Sequence, residues 1–410
     1  MGSDGSISVR GSRTNSTYYY IDGVRVRASQ AGNMVPQAQI EQMQVITGGI
    51  EASYGDVTGG IISITTKGPS QRFTGGIEAE TSEFLDDFGY NLINANFSGP
   101  ILKNQEGESV VGFRLFGQYR NVQDDNPSAV GSFRASEALI NQLEANPVTS
   151  FNGTNFSSAQ FLGENELPTL SSTNPREADR DYNISLKFDT RLSKNIDFTV
   201  SGTVFDSENL FTPSLAWGLY NWTNNPVAYS GGYRGNVRIR HKLGNQNYGA
   251  SEEGEKKNAL IRNASYTLQF GYERTRSRQE DIRHEDNLFN YGHYGTLARD
   301  WNPVASVLTD PDNWGGQIVP FAGFNFAHQG YQEVVGEFIT DNSANPVLAQ
   351  FNQLNGFLET EVNQVWSLYS NVGQVYNLNS KTEQDRYTIN VSSGFDLFPN
   401  GSRGGKHNIQ

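Results

Sequence analysis

The sequence contains no cysteine, which removes disulfide scaffolds, thiolate metal sites and cysteine nucleophiles together. Histidine is nearly as scarce. The five residues at 241, 284, 293, 328 and 407 show none of the paired spacings that hold a catalytic metal. No Walker-type phosphate loop and no Gly-x-Ser-x-Gly elbow is present, so nothing supports an enzyme. Long apolar runs are missing too: none approaches the roughly 18 residues of a spanning helix, which excludes helical membrane segments. Positive charge is in short supply, with a net charge of −13 and no Lys/Arg cluster, and this excludes a phosphate-reading nucleic-acid binder. Met1 to Ser6 lack the charged and apolar regions of a secretory signal. If exported, the chain is expected to be mature, trimmed or a fragment.

What is abundant is aromatic: 24 Phe, 19 Tyr and 5 Trp argue against disorder, because such side chains need burial or an interface. Many lie in segments of about ten residues with period-two alternation, the mark of a strand with two unlike faces. Tyr182, Ile184, Leu186, Phe188, Thr190 and Leu192 alternate with Asn183, Ser185, Lys187, Asp189 and Arg191. The same pattern covers Phe73 to Thr81, Val111 to Tyr119, Ala264 to Tyr272 and Tyr387 to Leu397, and more weakly Asn91 to Phe97 and Ile196 to Val204.

Long polar stretches at 122–181, 207–258 and 300–384 separate these segments, whereas other connections are short: Ser98 to Glu108, Ser193 to Asn195 and Pro399 to Ser402. Connections beyond about 12 to 15 residues are uncommon in compact domains unless functional. Short turns on one side and long loops on the other fit a transmembrane β-barrel, with apolar residues toward lipid and polar residues toward the lumen. A water-soluble sandwich or adhesin-like β protein with its apolar face inward has the same alternation and stays open.

Residues 1–70 differ. Ser8 to Arg13 and Tyr18 to Val24 read as short strands, the second with an Asp22-Gly23 turn. Pro36 to Glu41 reads as a brief helix with Pro36 near its start. Met43 to Thr47 reads as a strand ended by Gly48-Gly49, and Ile61 to Lys67 as a β-branched strand. The blocks Val9-Arg10-Gly11, Tyr20-Ile21-Asp22-Gly23-Val24, Ile40-Glu41-Gln42-Met43-Gln44-Val45, Ser53-Tyr54-Gly55 and Gly59-Gly60-Ile61 to Lys67 together resemble the plug domain of TonB-dependent outer-membrane transporters. Phe97-Ser98-Gly99-Pro100-Ile101 looks like the first periplasmic turn of that family's Bacteroidota branch. The chain departs from the pattern at Gln44, where the family usually has an acidic residue, and at Gly48-Gly49, where it has Gly-Pro. No TonB box precedes Gly5.

This resemblance implies an all-β membrane protein. Residues 1–70 would be the C-terminal part of an α+β plug, and residues 71–410 the N-terminal part of a barrel of about 22 strands, loops at 122–181, 207–258 and 300–384 facing outward. The implied function is ligand uptake gated by the plug, powered by TonB-ExbB-ExbD, in the outer membrane of a Gram-negative bacterium. A SusC-like member would add a surface lipoprotein lid over glycan or peptide. The alternative is a plugged barrel serving as a scaffold in an outer-membrane assembly or surface-export complex. Arg10, Gly11, Asp22, Gly23, Glu41, Tyr54, Gly55, Gly59, Gly60 and Lys67 carry the plug motif. Gly48, Gly55, Gly59 and Gly60 are expected to serve turns, and Arg10, Asp22 and Glu41 to pair with a lumen lined by Arg114, Lys187 and Arg191. In the loops, Trp217, Tyr220, Trp222, Trp301 and Trp314 are candidate ligand or partner contacts, with an interface girdle or the loops' own cores as the other reading. No cofactor is expected; Asp124-Asp125-Asn126 and Asp310-Asp312-Asn313 have oxygen ligands for Ca²⁺ but not the spacing of a calcium loop.

Overall fold

The computed structural model describes residues 16–26, 35–50, 54, 57, 59–162, 166, 169–243, 261–307, 326–355, 372–397 and 407–409. The expected strand at Ser8 to Arg13 lies outside them.

Strands β1 (Thr17–Ile21) and β2 (Val24–Val26) form a hairpin whose two turn residues, Asp22 and Gly23, both have positive φ, 49° and 84°. That backbone suits the twist of a tight hairpin and explains the Asp-Gly pair. β3 (Ile40–Ile46) runs antiparallel to β4 (Gly60–Thr66), and β4 runs parallel to β1, giving the order β2-β1-β4-β3. Tyr19, Ile21, Val26, Val35, Ile62 and Ile64 make the core of this inner sheet, joined by Phe205 from outside it. The helix expected at Pro36 to Glu41 is a single turn, Gln37–Gln39, because pairing of Ile40 with Thr66 draws the following residues into β3.

After residue 73 the chain builds a wall. Its first strands are β5 (Thr74–Thr81), β6 (Asn91–Lys103) and β7 (Ser109–Val122). Two small ribbons follow within a connection, β8 (Ser132–Arg134) with β11 (Thr169–Ser171), and β9 (Val148–Phe151) with β10 (Thr154–Ser157). The wall resumes with β12 (Asp179–Ser193), β13 (Ile196–Leu210), β14 (Val227–Lys242) and β15 (Ile261–Glu280). A separate hairpin, β16 (Gly295–Val307) with β17 (Phe326–Thr340), precedes β18 (Ser380–Leu397) and β19 (His407–Ile409). Among the described residues the wall has nine antiparallel strands, in the order β5-β6-β7-β12-β13-β14-β15-β18-β19.

Burial along the wall is the reverse of a soluble sheet. Ile184, Leu186, Val204, Phe270 and Ile389 are exposed on the outer face, Ile389 at 75%. Asn183 at 2%, Thr203 at 6% and Gln269 at 7% are buried on the inner face. A soluble sandwich would hide the first set and wet the second. Tyr182 opposite Tyr119, and Tyr272 tilted against Tyr233 and Tyr387 at 5.9 and 4.9 Å, line the outer face toward the long connections, where an interfacial girdle belongs.

Three boundaries differ from expectation. Phe97 to Ile101 lies within β6 rather than at a turn: Ser98 donates to the Phe113 carbonyl at 3.1 Å, and Gly99 leaves the space that the Phe73 ring fills. The turn sits further on, where the Asn104 side chain accepts the Glu106 and Glu108 N–H groups. Within 207–258, Val227–Lys242 is a full wall strand, and only 211–226 connects on the long-loop side. Its alternation is diluted because Gly231 and Gly235 occupy outward positions between Tyr229, Tyr233 and Val237. Within 300–384 the chain forms the β16–β17 hairpin and a helix at Pro346–Asn355.

The long connections are folded. A helix at Glu137–Ala145, whose start is capped by Ser136 accepting the Leu139 N–H, and a helix at Leu215–Tyr220 bring Ala135, Ile140, Leu143 and Tyr220 together with Val347 and Val372 in one core. Asn221 fastens two connections by donating to the Gln374 carbonyl and accepting the Gln374 N–H. This cap covers one end of the wall.

Leu186→Arg on the outer face is expected to cost about 2 to 4 kcal/mol in refolding of the full-length protein into vesicles, whereas inward-facing Thr267→Ala costs about 1 kcal/mol or less. Equal costs would contradict the orientation.

Candidate functional site at the junction of inner sheet and wall

The inner sheet meets the wall through polar side chains, and most of these contacts converge on the Asp22-Gly23 turn. The Asp22 carboxylate accepts the Thr66 N–H at 2.9 Å and the Thr66 hydroxyl at 2.6 Å, tying the β1–β2 turn to the end of β4. From β12, the Lys187 ammonium sits 3.6 Å from the same carboxylate and donates to the Thr66 hydroxyl at 3.1 Å. Both charged side chains are largely buried, 13% and 12% exposed. From β15, Gln269 donates to the Asp22 carbonyl at 2.8 Å, and from β18 Asn390 donates to the Gly23 carbonyl and Arg386 to the Arg25 carbonyl, each at 3.1 Å. Gln39 donates to the Ser185 hydroxyl of β12. Arg234 of β14 lines the space beside Asp22 and Glu273.

Close approach here depends on glycine at two points. A Cβ on Gly23 would stand 3.1 Å from Gln269, and one on Gly271 3.1 Å from Val24. Gly23 is held by its φ as well, so the turn cannot take a larger residue without strain.

Of the residues singled out in sequence, Asp22 and Gly23 form this junction. Gly59 and Gly60 are buried where β4 starts, and Tyr54 packs edge-on against Tyr20 at 5.1 Å. Lys67 reaches back to the Ala38 carbonyl at 2.9 Å. Glu41 is exposed and makes no ion pair within 4 Å among the described residues, but its charge acts on Arg114 of β7 across the seam. Arg191 pairs with exposed Glu108 at the short-turn end, away from the inner sheet. Arg10, Gly11, Gly55 and Trp314 lie outside the described residues, as do Asp310, Asp312 and Asn313. Thr66 falls inside the Gly59 to Lys67 block, whereas Gln269, Asn390 and Ser185 belong to no motif. Their position on the polar parity of their strands was the available signal.

The loop aromatics divide. Trp217 and Tyr220 are buried at 4% and 8%, and Trp222 packs against the same core while donating its indole N–H to the Ala135 carbonyl at 2.8 Å. These three hold the cap together. Trp301 on β16 is half exposed. Asp124 accepts the Asn126 and Asn174 N–H groups and staples its loop. Beside it, burial pushes the Glu177 carboxyl above the ordinary range, with the Thr212 N–H pulling the other way and the Asp124 and Asp125 charges adding to the rise.

An apolar outer face, a polar inner face and a small mixed sheet pinned to that inner face are the arrangement of part of a plugged transmembrane β-barrel wall. Residues 1–61 match the family model described as TonB-dependent Receptor Plug Domain. Two curated relatives align over 142 residues: a probable TonB-dependent siderophore receptor PirA of Acinetobacter baumannii at 28% identity, and the ferric enterobactin receptor PirA of Pseudomonas aeruginosa at 25%. Each alignment spans 30% of this chain and 18% of the relative. The crystal structure of the siderophore receptor PirA from Acinetobacter baumannii superposes with a TM-score of 0.37 at 16% identity, over 67% of this chain and 42% of that one. Residues 1–61 are thus similar to the plug domains of TonB-dependent receptors.

In a double-mutant cycle, Asp22→Asn and Lys187→Met couple by about 1 to 3 kcal/mol, read from hydrogen exchange of β1 and β4 amides in the full-length protein. Coupling near zero would show that the pair does not seat the inner sheet. For Glu177, a raised folded-state pKa means that the folded cap holds the proton more tightly, so this group's contribution to cap stability is full at low pH and is lost as pH rises from the ordinary Glu value through the raised one. Glu177→Gln removes this contribution to the loss, and cap amides of the variant should keep more protection at neutral pH than wild type.

Proposed function

We propose that this chain is the plug and adjoining wall of a TonB-dependent transporter that takes up a ligand across the outer membrane. TonB with ExbB and ExbD supplies the work from the periplasmic side. The observation that carries the reading is the Asp22 junction: a small sheet whose sequence matches the plug family sits on the polar face of a membrane wall and is held there by hydrogen bonds and one charge pair. Such contacts seal a lumen yet are individually modest, of order 1 kcal/mol for neutral bonds and somewhat more for charged ones. They suit a plug that must be displaced.

The finer assignments rest on the resemblance. A barrel of about 22 strands, a SusC-like Bacteroidota member and a surface lipoprotein lid are parts of the same proposal. In this reading residues 1–70 are the plug portion. Asp22, Gly23, Tyr54, Gly59, Gly60 and Lys67 then serve its architecture and seating, together with Arg10, Gly11, Glu41 and Gly55 of the motif.

Deleting residues 5–67 from the full-length protein tests this. The expected outcome is either failed assembly or an open barrel that sensitises cells to vancomycin, which intact outer membranes exclude. Normal assembly with vancomycin still excluded would contradict the plug assignment.

A further inference from the structure

Charge is distributed very unevenly between the two ends of the wall. The connections at 82–90, 123–178, 211–226 and 281–379 all emerge at the cap end and contain twenty-one acidic residues against four Lys or Arg. The remainder of the chain has twenty-three against twenty-seven. In sequence these connections therefore carry more than the chain's whole net charge of −13, and their described residues include sixteen acidic ones against four basic ones. In the 123–178 connection the two arginines are also spent internally, Arg134 on the Thr173 carbonyl and Arg176 on the Thr223 carbonyl, while Asp125 and Glu137 are exposed.

Within this acidic surface the β8–β11 ribbon is inverted. Its charged residue, Arg134, is buried at 6%, whereas Phe133 and Leu170, directly opposite one another in register, are 62% and 57% exposed. Val130 beside them is 87% exposed. Gly131, with φ of +82°, lets the Leu170 side chain lie across the backbone where a Cβ would clash at 2.7 Å. Among the described residues neither β8 nor β11 has a second strand neighbour, and because the Ala135 N–H beside β8 is donated to the Leu219 carbonyl of the adjoining helix, the β11 edge is the one left for pairing. Hydrophobic burial does not account for an apolar pair turned outward over a buried arginine. A surface made for contact does.

We propose that the cap docks an extended peptide that is both cationic and apolar, seated on the Phe133–Leu170 ribbon and drawn there by the acidic connections. The apolar side chains cover Phe133, Leu170 and Val130, backbone pairing extends the ribbon, and basic side chains meet Asp125 and Glu137. The same field disfavours polyanionic ligands at this face. The inference rests on the membrane reading only in taking the long connections as the outer side.

The test uses full-length protein in nanodiscs and two synthetic peptides, one alternating Leu with Lys and the other alternating Leu with Glu. The Leu/Lys peptide is expected to bind at least about tenfold tighter than the Leu/Glu peptide, with affinity falling as salt is added. Phe133→Ser combined with Leu170→Ser should weaken binding about tenfold, while Phe289→Ser, on another exposed aromatic of the cap, leaves it unchanged. Equal binding of both peptides overturns the charge argument, indifference to the ribbon variant overturns the site, and absence of binding overturns the proposal. Vancomycin exclusion by the same variants reports on the plug separately, so a failed docking site and a failed plug assignment give different results.

Discussion

Hydrocarbon accepts no unpaired backbone polar group, and that constraint organises the whole chain. It demands strands paired on both sides, side chains that are apolar on the outer face, and therefore, through the two-residue period of a strand, an inner face composed of whatever lies between. Along β12 this leaves Asn183, Ser185, Lys187 and Asp189 pointing into the lumen. Such a face cannot be covered by an ordinary hydrophobic core. It is covered by a sheet that brings its own polar groups, and the Asp22-Gly23 turn is where most of them meet.

The junction shows how a short motif does several jobs. Asp22 satisfies two donors on Thr66, stands close to Lys187, and adopts a positive φ that Gly23 completes. Gly23 and Gly271 remove side chains from the seam between sheet and wall. A buried charge pair is weak as a source of stability, because desolvation offsets much of its Coulomb energy, but it is intolerant of wrong partners. Its natural role here is to fix where the inner sheet sits. Among the described residues Phe205 is the one wall residue in the inner sheet's core cluster, so hydrophobic contact there is limited.

Much of this was legible in the sequence. Alternation located the wall strands wherever large residues occupied the outward positions, and the Asp-Gly pair located its hairpin. Alternation could not say which face was inside; burial of Asn183 and exposure of Ile184 did. β14 lacks a legible alternation because its outward glycines break the apolar rhythm, and Gly99-Pro100 gives Phe97 to Ile101 the look of a turn. There, a bulge in β6 absorbs the proline, and the Phe73 ring uses the space above Gly99. The tryptophans of the cap were ambiguous for a different reason: an aromatic that binds a ligand and one that fills a small loop core have the same sequence. The structure shows Tyr220 and Trp222 sharing a core with Ile140, Leu143 and Val347.

The most direct test of the central claim uses the absence of cysteine in this chain. Single cysteines placed one at a time from 182 to 190 in the full-length protein, in a cysteine-free background, are spin-labelled in lipid vesicles and probed for collision with oxygen, which concentrates in the bilayer. The account predicts high oxygen accessibility at 182, 184, 186 and 188 and low accessibility at 183, 185 and 187, a strict period of two. The opposite parity, or no period at all, would contradict it.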